Sequence, residues 1–440
     1  MEVYKGFGSR RYGENIWDIS SWTTDIHWKE AYLRRHFENL SFLDCIKDII
    51  DLAETYFTSV YEAFTEEDEE GVEYDFPYLD IIILLTEEYL YGHFFQSISP
   101  LQELSMLEIM CSYFQNKPLD PIRYFVFDCL FGFPNEITEL QKNLLDHKTN
   151  LMSKLTSMAV GTRCGNLLNC IAVWFYTYGS ENSRAAKVAF SIVNDYFLVC
   201  PESSKAVADL INVAPVFAYQ LVVALANYYK SEGQDGKERK HKLPPTHFVE
   251  IVADWIVEKP RFCIVKIPPL FLRLPSSHNF IFTKEKLFRL CPILSLLQWC
   301  LLEPLISKIK KEESKQISLA YSKLVYGFVS YFSMQRKIEV DKIENPDDLE
   351  PGELSDEEFG EIELMTKEDV AFLTHSLRLL LEKYANIDDG SKHVSVDRLV
   401  QVIQISRWAG CVPVTVKDLK GLLIDIPKTV LLKSILKPQK

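Results

Sequence analysis

Apolar positions recur at three- and four-residue intervals along most of the chain, which predicts one helix after another. Phe42, Ile46, Ile49, Ala53, Tyr56 and Val60 set the first such rhythm, and it stops at the acidic turn Glu66 to Glu70. Leu79 to Leu90 opens with the run Asp80-Ile-Ile-Ile-Leu-Leu85, which by itself fits a buried strand. Its continuation through Glu87, Glu88, Tyr89 and Leu90 is longer than a usual strand and favours a helix. Ser99 to Gln115, S-P-L-Q-E-L-S-M-L-E-I-M-C-S-Y-F-Q, carries a complete helix start. Ser99 caps free N–H groups, Pro100 occupies the position that needs no donor, and Gln102 reaches back to the cap. Leu104, Leu107, Cys111 and Phe114 form its seam, and Leu101, Met106, Ile109, Met110 and Tyr113 flank it, so this helix is expected to pack on at least two sides.

Later faces repeat the pattern. Leu168, Ile171, Ala172 and Phe175 make one; Val188, Phe190, Val193, Phe197 and Leu198 the next; Phe217, Leu221, Ala224 and Leu225 a third. Phe248, Ile251, Val252, Trp255 and Ile256 follow Pro244-Pro245 on a helix that stops at Pro260. Arg261 to Leu274 contains Pro268-Pro269 and cannot be one straight helix, whereas Leu287 to Leu302, Ile317 to Met334, Val370 to Tyr384 and Val396 to Trp408 resume the helical period, with a short pair near Val416 to Leu423 and Thr429 to Leu436. Pro118, Pro121, Pro134, Gly165, Gly179, Pro201 and Pro215 punctuate the series with short links, which make successive helices antiparallel neighbours. The predicted fold class is all-α, an irregular HEAT-like helical-repeat solenoid of antiparallel helix pairs without an exact internal repeat.

Residues 1–38 lack a sustained period and are expected to be an N-terminal extension that docks. Residues 39–230 form the N-terminal α-solenoid, 231–244 a basic linker or loop, and 245–440 a C-terminal helical region with an acidic loop at 339–365. Glu339 to Asp369 holds fourteen acids against Lys342 and Lys367, with Pro346, Pro351, Gly352 and Gly360, a composition that buries little.

Composition changes this picture in two respects. A formal net charge of −14 disfavours the nucleic-acid backbone as the main partner, although a local basic patch is compatible with it. The 10 cysteines lie mostly in apolar helical text without a C-x-x-C pair, so they are expected to be reduced core thiols in cytosol or nucleus. The start, M-E-V-Y-K-G-F-G-S-R-R, has no continuous apolar stretch, and Ala214 to Tyr229 is too short and carries Gln220 and Asn227. No secretion and no membrane span are expected.

Chemistry is sparse. Gly6-Phe7-Gly8 lacks both the third glycine and a preceding strand, so it is no dinucleotide loop. His247 and Glu250 give an H-x-x-E on an apolar helix, and one such pair does not hold a metal. Cys164 and Cys170 stand near Arg163, which suggests a lowered thiol pKa, but apolar surroundings without an orienting His favour inert burial. Lys237, Arg239, Lys240 and Lys242 fit a nuclear-import signal, a contact for an acidic partner, or a solvated loop. Asp347, Asp348, Glu350, Glu353, Asp356, Glu357 and Glu358 fit a contact for a basic partner, with a solubilising loop as the plain alternative. No catalytic, cofactor-binding or metal-ligating residue is assigned, and no cofactor is expected.

The wording of Ser99 to Gln115 resembles the Integrator complex subunit 15 family. The order of further segments carries the resemblance: Leu151 to Phe175, Val193 to Pro201 (V-N-D-Y-F-L-V-C-P), Leu243 to Pro260, Leu319 to Leu324 (L-A-Y-S-K-L) and Val396 to Pro427. It runs from about Phe42 to the end; residues 1–38, the acidic stretch and the family's Pro- and His-rich C-terminal tail have no matching counterpart. The resemblance implies a non-catalytic scaffold subunit of the nuclear Integrator complex, which cleaves transcripts of RNA polymerase II, including small nuclear RNA precursors at their 3′ ends, and attenuates transcription. It implies a role in joining the arm module of subunits ten, thirteen and fourteen to the core scaffold subunits; the hydropathy argues for no membrane partner, and the net charge disfavours direct nucleic-acid binding. The competing classes are a nucleic-acid-binding α-solenoid, an adaptor in another nuclear complex, and an enzyme whose site assembles from distant residues.

Overall fold

The computed structural model describes residues 26–63, 73–74, 79–92, 98–116, 120–132, 139–178, 183–230, 244–259, 265–267, 270–273, 280–283 and 286–288, with positions 319–320, 323–324, 326–327, 400, 430 and 433. The described residues are predominantly helical, as the 3.6-residue period predicts. They divide into two compact units: Met1–Ile192 with Asn212–Phe217 and Lys266–Lys286, and Val193–Ile211 with Ala218–Val265 and Leu287–Lys440.

The first unit begins with α1, Ile26–Phe37, which the sequence pattern did not announce. Only Leu33, His36 and Phe37 of its described side chains are buried, too few to give a period, and Arg34 is tied to Glu30 and Glu88. Next come α2 (Phe42–Ala63), α3 (Leu79–Thr86) continued by a π-helical turn at Glu87–Gly92, α4 (Pro100–Gln115), α5 (Pro121–Phe131), α6 (Glu139–Thr162), α7 (Gly165–Tyr178) and α8 (Ser183–Val193). α2 packs against α3, α4 and α5, and α4 also touches α6 and α7. In the resulting core, Phe57 stacks on Phe125 with ring centroids 4.1 Å apart, and Phe114 meets Phe127 edge-on at 5.6 Å.

Short strands add to this helical frame. β1 (Glu73–Tyr74), β3 (Leu270–Arg273) and β4 (Phe280–Thr283) form an antiparallel sheet in the order β1-β4-β3, with Leu272 opposite Ile281 and Ile281 opposite Glu73. β2 (Val265–Ile267) precedes β3, in keeping with the break expected at Pro268-Pro269. β5 (Lys286–Phe288) corrects one expectation, because Leu287 and Phe288 lie in a strand where a helix was predicted to begin. A short apolar run has no period by which to tell the two apart.

In the second unit, a π-helical turn at Asn194–Val199 leads through Pro201–Ser203 into α9 (Ser204–Ala208) and the first two residues of α10 (Leu210–Val213). The remainder of α11 (Pro215–Lys230) and α12 (Thr246–Glu258) complete its main helices. Phe197 meets Phe248 edge-on at 5.5 Å, and the Trp255 indole N–H donates to Ala208 O at 2.7 Å. Leu198 was expected on the buried face with Phe197, yet it is exposed along with Val199. Tyr196 and Phe197 are the buried residues of this turn, and at about 100° per residue Leu198 and Val199 lie round from them on the solvent side. Further along, Ala320, Leu324 and Gly327 point inward while Leu319, Lys323 and Tyr326 point outward. A Cβ at Gly327 would come within 3.4 Å of Ala253 O and Ile256, so that helix lies close on α12.

Candidate interaction surface

α4 starts where its sequence says it should. The Ser99 hydroxyl accepts from the Gln102 backbone N–H at 3.3 Å, and Gln102 Oε1 accepts from the Ser99 N–H at 2.9 Å. With Pro100 at the first position, this reciprocal box satisfies orphan donors and fixes the first turn. Met106, Leu107, Met110, Cys111 and Phe114 face the core formed with α2, α6 and α7, as predicted for the Leu107 and Cys111 seam. The prediction for Leu104 is corrected: it is 44% exposed, and Leu101 is 72% exposed. At 100° per residue, Leu101, Leu104, Glu108 and Ser112 share one solvent-facing edge, all four of them exposed. Beside it, Glu103 is held by Lys154 Nζ at 2.6 and 2.7 Å, while Glu108 has no ionic partner among the described residues. The last half of this edge, Glu108 and Ser112, is polar, and that was the one signal in the sequence that Leu101 and Leu104 lie off the core.

Several buried polar groups of the first unit hold helices together. α5 ends inside the protein, where its last carbonyls have no partner of their own. The Tyr91 hydroxyl donates to Leu130 O at 2.7 Å, the Trp174 indole N–H to Phe131 O at 3.0 Å, and Lys148 Nζ to Gly132 O at 3.0 Å. Lys148 is 2% exposed, pairs with Glu87 Oε1 at 3.2 Å and lies 5.3 Å from the centre of the Tyr91 ring. Its charge sits at the negative end of the α5 dipole. The Tyr178 hydroxyl donates to Asp128 Oδ1 at 2.8 Å, and a Cβ on Gly132 would meet Asp128 O at 2.5 Å. At the other end of α5, Asp120 caps the Arg123 N–H at 2.7 Å. The Tyr113 hydroxyl donates to Glu54 Oε2 at 2.9 Å, and Arg123 Nη1 lies 2.9 Å from Glu54 Oε1. That last contact is electrostatic, since neither Nε–H nor Nη1–H of Arg123 points at an acceptor. Burial, reinforced by the Glu54 charge, pushes the Tyr113 phenol well up, and burial with Glu87 does the same to Tyr91. Both phenols therefore stay protonated at neutral pH and serve as hydrogen-bond donors.

The thiols follow the same rule. Cys164 and Cys170 are buried, and burial pushes both up, against the reactive-thiol alternative. Arg163 is exposed and serves the backbone: with φ 55° it closes α6, while the Cys164 N–H donates to Ala159 O at 3.0 Å and its own N–H to Val160 O at 3.3 Å. This is the left-handed helix stop that usually takes glycine. His247 Nδ1 lies 3.5 Å from Glu250 Oε2 and its Nε2 3.1 Å from Ser204 Oγ, and among the described residues no group of three or more His, Cys, Asp or Glu is placed to hold a metal. Lys237, Arg239, Lys240 and Lys242 lie outside the described residues, as do Asp347, Asp348, Glu350, Glu353, Asp356, Glu357 and Glu358, and Gly6 to Gly8. No single helix among the described residues is long and apolar enough to cross a membrane.

Comparison with known proteins agrees with the wording of α4. A model of the family described as Integrator complex subunit 15 matches residues 31–428. The chain is 24% identical over 359 residues to Integrator complex subunit 15 of Homo sapiens, covering 77% of this chain and 72% of that relative. The Mus musculus protein of that name is 25% identical over 358 residues, with the same coverage. That of Drosophila melanogaster is 25% identical over 348 residues, covering 77% of this chain and 79% of its own length.

Proposed function

The chain belongs to the Integrator complex subunit 15 family, and from that membership we propose that it is a non-catalytic scaffold subunit of the nuclear Integrator complex. The finer role is to join the arm module of subunits ten, thirteen and fourteen to the core scaffold subunits during cleavage of RNA polymerase II transcripts, including small nuclear RNA 3′-end processing, and in transcription attenuation. The family match over residues 31–428 carries the proposal. Two physical features support it. Tyr91, Trp174, Lys148 and Tyr178 around α5 are spent on helix ends and on one another, and the described thiols other than Cys200 are buried, which suits a protein that works by its surface. In this proposal the helices are arranged as an irregular HEAT-like stack of antiparallel pairs, an architecture that presents long surfaces to several partners at once. Lys237, Arg239, Lys240 and Lys242 serve nuclear import or an acidic partner in this proposal, and the acids from Asp347 to Glu358 serve a basic one.

Affinity purification of the tagged full chain from nuclear extract, with identification of what elutes, tests the assignment. Subunits ten, thirteen and fourteen should be recovered together with core subunits. An eluate without Integrator subunits would overturn membership in the complex, and an eluate lacking only ten, thirteen and fourteen would overturn the joining role alone.

A further inference from the structure

We propose that the outer edge of α4, Leu101, Leu104 and Glu108, docks an amphipathic basic helix of another subunit of the complex; this rests on the assignment to Integrator. Among the described residues of the first unit, Leu84, Leu101, Leu104 and Tyr176 are the large apolar side chains left exposed, and only Leu101 and Leu104 stand at helical spacing on one helix. The capping box at Ser99 and Gln102 holds that turn rigid, so the two leucines are presented at a fixed angle and little order has to be gained on binding. Their other side is anchored, since Met106, Leu107 and Met110 fill the core and leave α4 no freedom to roll the leucines inward.

Charge selects the occupant. Glu103, next to the edge, is neutralised by Lys154, whereas Glu108 stands in line with the leucines, exposed and without an ionic partner among the described residues. A helix laid along α4 with apolar anchors over Leu101 and Leu104 therefore places its next turn at Glu108, where a Lys or Arg completes the pair and an acid is repelled. Ser105 beside this path and Ser112 at its end have small side chains, which lets a second helix approach. The chain's net charge of −14 adds a long-range attraction for the same class of partner.

The test uses the purified full chain and identified Integrator subunits. Leu101→Asp/Leu104→Asp should keep the wild-type thermal transition and lose at least tenfold in recovery of one subunit. Glu108→Lys should weaken recovery of that same subunit, with the difference from wild type largest at low salt and shrinking as salt screens the repulsion. Leu107→Asp is the contrast, and should lose soluble protein altogether. Full recovery of every subunit by the double variant overturns the docking edge, and so does a lowered thermal transition of that variant, which would mean that the leucines are packed. An unchanged recovery with Glu108→Lys overturns the basic character of the occupant. If wild type recovers no Integrator subunit, the assignment beneath the proposal fails instead.

Discussion

Ser99 is the residue whose role was most legible, because a hydroxyl, a proline and a glutamine at fixed offsets leave one local solution. Ser99→Ala should lower stability by about 1 kcal/mol, measured by denaturant unfolding. Leu107→Asp puts a carboxylate into the core and should cost several kcal/mol, enough to unfold a marginal domain. Leu101→Ser, only two turns away, should stay within about 0.5 kcal/mol. Arg163 was not legible, since nothing marks an arginine for φ 55°; Arg163→Gly should stabilise by about 1 kcal/mol, and a lower melting temperature would mean that its side chain contributes more than the backbone loses. The thiols set a pH window. Burial, with Asp48 and Asp44, pushes Cys45 from 9.0 to about 12, and burial with Cys164 and Glu108 does the same to Cys111. Folded-state values above the unfolded ones favour folding fully below about pH 9, and that contribution fades as pH rises from about 9 to about 12. At pH 8 a thiol reagent should therefore modify exposed Cys200 while Cys45 and Cys111 resist it.

At the scale of elements, α5 shows how a helix is held by others. Three helical segments distant in sequence supply a phenol, an indole and an ammonium to its last carbonyls, so each cap depends on the tertiary placement of its donor. Lys148→Met removes the cation from Gly132 O and leaves Glu87 unpaired; it should cost about 3 kcal/mol in thermal or denaturant unfolding, and adding Glu87→Gln should recover part of that. Nothing in the sequence distinguishes Lys148 from the lysines that face solvent. The same holds for α1, whose few buried side chains make no period, and for the π-helical turns, which no residue pattern announces.

For the whole molecule, the acidic stretch is expected to be dispensable for folding: deleting 347–361 should change stability by no more than about 1 kcal/mol, and collapse of the thermal transition would show that it packs. If it serves a basic partner, the deletion should weaken assembly most at low salt. By itself the sequence determined the helical class, the start of α4, the burial of Leu107 and Cys111, and the family, because periodicity, capping and ordered wording are local properties of the chain. Tertiary structure alone decided that α4 turns Leu101 and Leu104 to solvent, that Lys148 is buried, that Cys111 and Cys164 come close, and that β1, β3 and β4 pair. Those outcomes depend on which distant surfaces meet, and a one-dimensional pattern reports only that a side chain is apolar, not which neighbour covers it.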